Sequence, residues 1–169
     1  MIKKLILLLL LSLISTVSNF YAQCTGCTVI GPTSGNYTFA SNSTVCFTSN
    51  ATLGDVTFQN NSKICVAPGV TVTIQNNVNS AAGNNVTLEI GGTLQFNQVP
   101  TINASLTANI LSGGLLKAGT TGTNNFTFNG TTNTLNNQGT VQVGVLQFQN
   151  SSSTNVVDNY GTLTIANNI

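Results

Sequence analysis

The chain has 169 residues, 41% of them hydrophobic and only 4% charged, with no His and no Trp. Its four cations are all lysines (Lys3, Lys4, Lys63, Lys117) and its three anions are Asp55, Glu89 and Asp158. That inventory has neither the basic patch a phosphate backbone requires nor a polybasic cluster for anionic lipid, which excludes nucleic acid and the membrane surface as expected partners.

Residues 1–22 read as a secretory signal peptide: Met-Ile-Lys3-Lys4 is a basic start, residues 5–14 are apolar, and a polar stretch ends in Ala22 before Gln23. The apolar run is about half of the roughly 20 residues a membrane span requires, so the mature chain is not expected to span a membrane. Cys24 is preceded by Gln23 rather than by the small residue a lipobox needs. The signal predicts a secreted or outer-cell-surface protein. Once it is removed, about 147 residues remain with a net charge of −1, enough for one domain with a continuous core.

Residues 23–34, headed by Cys24-Thr-Gly-Cys27, are expected to form an N-terminal cap or incomplete first coil, and residues 35–169 the body. Gly35-Asn-Tyr-Thr-Phe-Ala-Ser-Asn-Ser-Thr-Val-Cys46 is answered by Gly54-Asp-Val-Thr-Phe-Gln-Asn-Asn-Ser-Lys-Ile-Cys65, with Gly, Thr-Phe, Asn-Ser and Cys recurring at an offset of 19. Cys27 precedes Cys46 by the same interval. A period near 20 with short alternating apolar runs marks a solenoid, whose single coils cannot bury an apolar face alone.

After Cys65, Val-Ala-Pro-Gly69 signals a turn, and residues 70–74 alternate with the period of a strand that buries one face. Residues 76–85 read as loop, 86–90 as strand, and Gly91-Gly92 as the turn into a strand over 93–96. Gly92-Thr-Leu-Gln-Phe96 and Gly114-Leu-Leu-Lys-Ala118 share a glycine-led strand start at an offset of 22. Residues 133–143 match residues 155–165 at that offset too. The expected fold is therefore all-β: one parallel β-helix, or β-solenoid, of about seven coils with a 19- to 22-residue repeat. Phe39, Phe58, Ile74, Leu88, Leu94, Val141 and Leu163 are the expected core. The abundant Asn would stack in amide ladders at the turns, a fibril-like device within one chain. Residues 162–169 end on a strand without a polar cap, which predicts that the winding continues or is closed by a partner subunit.

Four cysteines in an exported chain are expected to be oxidised. If Cys27, Cys46 and Cys65 share one position on successive coils, adjacent Cα atoms stand about 4.8 Å apart, within disulfide range. The pairing Cys24–Cys27 with Cys46–Cys65 is expected first, and Cys24–Cys65 with Cys27–Cys46 second. A redox Cys-x-x-Cys would need a βαβ context, and a four-thiolate zinc site usually pairs two such units; the chain has neither. No metal ligand set or cofactor site is expected.

No catalytic residues are expected either. Asp55, Glu89 and Asp158 are spread along the sequence, at least a coil from one another, so no two form the close carboxylate pair that glycoside hydrolysis uses. Without His, no Ser-His or Cys-His nucleophile can be assembled.

With its leucine-rich leader ending in Tyr21-Ala-Gln23, its Gly-Asn-Tyr-Thr-Phe…Cys46 opening and its Asn159-Tyr-Gly-Thr-Leu-Thr-Ile165 strand unit, the chain resembles the N-terminal part of secreted, adhesin-like β-helix proteins of Bacteroidota. The resemblance implies a non-enzymatic module that contacts a surface, a glycan or a sister subunit. The alternatives are a carbohydrate-active β-helix enzyme or a fragment of one, and an ice-binding solenoid, suggested by Thr71/Thr73, Thr132/Thr134 and Thr162/Thr164.

Overall fold

The computed structural model describes residues 24–167, so the expected signal peptide lies outside the described residues. Within them the chain forms a parallel β-solenoid of about six turns with a spacing near 22 residues, and no helix. One side is a seven-stranded sheet of β1 (Val29–Ile30), β3 (Thr44–Phe47), β5 (Ser62–Val66), β8 (Asn85–Ile90), β11 (Ser105–Ile110), β14 (Thr132–Asn137) and β17 (Thr154–Asn159), in that order. A second side stacks β2 (Ser34–Phe39), β4 (Ala51–Phe58), β6 (Thr71–Ile74), β9 (Thr93–Phe96), β12 (Leu115–Ala118), β15 (Thr140–Val143) and β18 (Thr162–Ile165), with β7 (Val78–Ser80) also paired to β4. The third side is a short sheet of β10 (Thr101–Ile102), β13 (Phe126–Phe128) and β16 (Leu146–Phe148).

The third side originates in β4. Residues 51–53 of this strand pair with β6 (Leu53 opposite Ile74), whereas residues 56–58 pair with β7 (Val56 opposite Val78). One long strand thus underlies two shorter ones, and each later coil turns an extra corner. The coil lengthens as a result, which corrects the expected count of seven coils to about six. The offset between stacked residues is 19 from Ile64 back to Val45, 24 from Ile64 to Leu88, and 27 from Ala108 to Leu135. Residues 76–85, expected to be loop, contain β7 for the same reason.

Alternation sets the core. In β8, β11 and β14 every second side chain points inward and is buried. Six of the expected core residues are buried, and Leu163 in the last coil is half-buried. Phe39 stacks on Phe58 with ring centroids 4.7 Å apart, and Phe128 on Phe148 at 4.9 Å, as in-register winding requires of like side chains. Such ring pairs contribute about 0.5–1.5 kcal/mol beyond their area.

The corner between the first two sheets explains the glycine-led strand starts. Leu115 N donates to Gly92 O, Thr140 N to Gly114 O and Thr162 N to Gly139 O, all within 2.9 Å. These bonds draw each corner onto the carbonyls below it. A Cβ on Gly114 would lie 2.1 Å from Ile90 O, and one on Gly161 would lie 2.2 Å from Gly139 O.

Asn ladders form at turns and on strands. Asn42 and Asn61 both adopt the left-handed conformation, at φ 57° and 55°, and Asn61 Nδ2 donates to Asn42 Oδ1 at 3.1 Å. Asn133 and Asn137 point into the core itself. There Asn133 Nδ2 donates to Asn155 Oδ1 (2.9 Å) and Asn137 Nδ2 to Asn159 Oδ1 (2.7 Å), so burial leaves neither amide unmatched.

Candidate functional site

The outward face of the seven-stranded sheet carries one continuous column: Cys46, Cys65, Glu89, Asn109, Asn136, Asp158, each in register with the next. The N-terminal segment covers its first part. Disulfides Cys24–Cys65 and Cys27–Cys46 tie that segment down, each with a Cα–Cα distance of 5.7 Å. This is the second of the two expected pairings, and it corrects the first. Cys46 and Cys65 are in-register neighbours on parallel strands, so their Cβ atoms stand about one strand spacing apart, roughly 4.8 Å, beyond the roughly 3.5–4.5 Å that a disulfide spans. Nor does Cys27 occupy the same column position. β1 pairs with β3 at an offset of 16, Ile30 opposite Cys46, which leaves Cys27 beyond the strand and able to reach across.

The sulfurs of Cys24, Cys46 and Cys65 lie within 4.8 Å of one another, but all four cysteines are committed to disulfides. The cap ends at Glu89, whose Oε1 is 3.6 Å from Cys65 Sγ and whose carboxylate pairs with Lys63.

Beyond the cap the column borders a surface cleft of about 280 Å³. One wall is the row Glu89, Asn109, Asn136 and Asp158. The other is Leu111, Gln138 and Tyr160, the residues that follow β11, β14 and β17 at the corner. Their amides are held by the coil below: Leu111 N donates to Ile90 O, Gln138 N to Ile110 O and Tyr160 N to Asn137 O. Facing members of the two rows are two positions apart along a strand, about 6.6 Å, and successive members of one row stand about 4.8 Å apart. Asn136 Nδ2 donates to Asn109 Oδ1 at 2.8 Å. Tyr160 is 84% exposed.

The three carboxylates are dispersed. Glu89 and Asp158 share the column but are three strand spacings apart, about 14 Å, more than the roughly 5–9.5 Å of retaining and inverting carboxyl pairs. Asp55 is on the second sheet, where its Oδ1 accepts from Asn77 N (3.1 Å) and Asn77 Nδ2 (3.0 Å), anchoring the linker between β6 and β7.

The second sheet presents two outward columns. Thr71, Thr93, Leu115, Thr140 and Thr162 form one; Ser34, Thr52, Thr73, Gln95, Lys117, Gln142 and Thr164 form the other. Stacking thus aligns Thr93 and Thr140 with Thr71 and Thr162, while Leu115 and Lys117 interrupt both ranks and the pair Thr132/Thr134 lies apart, on β14 of the seven-stranded sheet. No helix among the described residues is long and apolar enough to cross a membrane.

No protein-family model, curated protein or solved structure matches this chain.

Proposed function

We propose that the chain is a secreted or cell-surface, non-enzymatic structural module of adhesin type, which contacts a surface, a glycan or a partner subunit through its outward polar columns. The observation that carries this reading is the column from Glu89 to Asp158, which repeats hydrogen-bonding side chains at strand spacing while keeping its two carboxylates about 14 Å apart. A parallel stack suits such contact, because each winding adds one binding group to a rigid row at little entropic cost. The resemblance to adhesin-like β-helix proteins and the leader at residues 1–22 favour the same address.

The test is adherence without turnover. Purified mature chain is expected to be retained on bacterial surface polysaccharide and to release no reducing ends from it. Polysaccharide cleavage abolished by Asp55→Ala or Glu89→Ala would replace the reading with an enzymatic one. The aligned Thr71, Thr93, Thr140 and Thr162 favour ice contact as a second reading, for which thermal hysteresis of the mature chain is the measurement.

A further inference from the structure

We infer that the cleft between the Glu89–Asp158 row and the Leu111–Tyr160 row is a binding site for a neutral saccharide chain, an inference that rests on the surface-contact reading above. Its chemistry matches a polyol. Asn109 and Asn136 bond to each other through one amide hydrogen and one carbonyl oxygen, which leaves the Asn109 NH2 group and the Asn136 side-chain oxygen directed to other partners. Asp158 adds a carboxylate that accepts only, and that carboxylate has no partner among the described residues. Donor, acceptor and acceptor therefore follow one another at about 4.8 Å steps, and sugar hydroxyls, each both donor and acceptor, can satisfy all three. Opposite them, the ring of Tyr160 and the side chain of Leu111 offer apolar surface against which the C–H face of a sugar ring packs.

Electrostatics selects the class. Among the described residues, the only charged groups that line the cleft are Glu89 and Asp158, and Lys63 is already paired with Glu89. A uronate or sulfated chain would face Asp158 with no cation to meet it, a like-charge juxtaposition that disfavours binding. An extended peptide is disfavoured for another reason: β8, β11 and β14 are paired on both sides, and among the described residues only β17, the last strand of the sheet, has an unpaired edge beside the cleft, so strand addition would extend the sheet beyond the cleft rather than fill it. A volume near 280 Å³ is at the lower end of ligand pockets, which suits one or two units of a longer chain lying across the coils.

The experiment is calorimetric titration of the mature chain with cellohexaose, laminarihexaose and chitohexaose, with a hexagalacturonate as the anionic control. At least one neutral hexasaccharide is expected to bind. Tyr160→Ala and Asn136→Ala are each expected to weaken it by about tenfold or more, the loss of one well-packed contact. Lys117→Ala, on the second sheet, is expected to leave binding unchanged. Because Tyr160 is 84% exposed, its removal should not shift the melting temperature, which separates lost contact from lost folding. The inference is overturned if no neutral hexasaccharide binds at millimolar concentration, if Tyr160→Ala binds as well as wild type, if the anionic hexamer is preferred, or if a protein ligand alone depends on Tyr160. In each case, adherence that persists leaves the surface-module reading standing, whereas hydrolysis of any hexasaccharide would defeat that reading itself.

Discussion

At the scale of single residues, close approach rather than hydrophobicity decides which positions are intolerant. Gly114 lies outside the left-handed region, yet an added Cβ would meet the backbone of Ile90 at 2.1 Å, and a carbonyl in a stacked sheet has nowhere to move. Gly113 is the opposite case, with φ at +83° and nothing within 4 Å of an added Cβ. Gly114→Ala is therefore expected to cost about 3 kcal/mol or more through overpacking, and Gly113→Ala about 1 kcal/mol through left-handed strain alone. Urea melts of the two variants check the order, and a milder effect at Gly114 would contradict the corner geometry. Ser62 offers the converse. Its hydroxyl points inward, is buried, and is the one buried side-chain polar atom among the described residues without a hydrogen-bond partner. Ser62→Ala removes that desolvation cost and is expected to stabilise the fold by about 1 kcal/mol in the same assay.

At the scale of elements, the N-terminal cap is fastened by two nested links with sequence separations of 41 and 19. Taken singly, loops of those lengths correspond to about 4 and about 3 kcal/mol of chain entropy, and nesting makes the pair worth less than their sum. Cys27→Ser/Cys46→Ser is expected to retain one disulfide, show no free thiol and melt about 10 °C lower. Cys24→Ser/Cys27→Ser is expected to show two free thiols, because Cys46 and Cys65 stack side by side without bridging. Full oxidation of that second variant would restore the Cys46–Cys65 pairing that strand geometry disfavours.

Elements also differ in how far the sequence announces them. The strand over residues 93–96 is visible as alternation behind a glycine, and the match of residues 133–143 to 155–165 reappears as Asn133 opposite Asn155 and Val143 opposite Ile165. The strands of the third side, two or three positions each, are too short to show a period. β13 even buries its whole length, Thr127 included, so no alternation is written there.

At the scale of the whole molecule, a changing coil length conceals the cleft from sequence reading. Its column residues follow one another at offsets of 20, 27 and 22, so no fixed period connects Glu89, Asn109, Asn136 and Asp158, and only the winding brings them into line. The carboxylates were legible as dispersed, since each sits on a different coil. Tyr160 was visible only as part of a strand unit, because its role depends on Leu111 and Gln138 stacked beside it at the corner.

In-register stacking is the premise on which the column, the cleft and the disulfide pairing all depend, and distances along the second sheet test it most directly. Thr52 and Gln142 are separated by four windings, and so are Thr73 and Thr164. Nitroxide labels at either pair, read by double electron–electron resonance, should give the same distance of about 19 Å along the axis. Distances that differ between the pairs by more than one strand spacing, or that exceed about 30 Å, would contradict the winding.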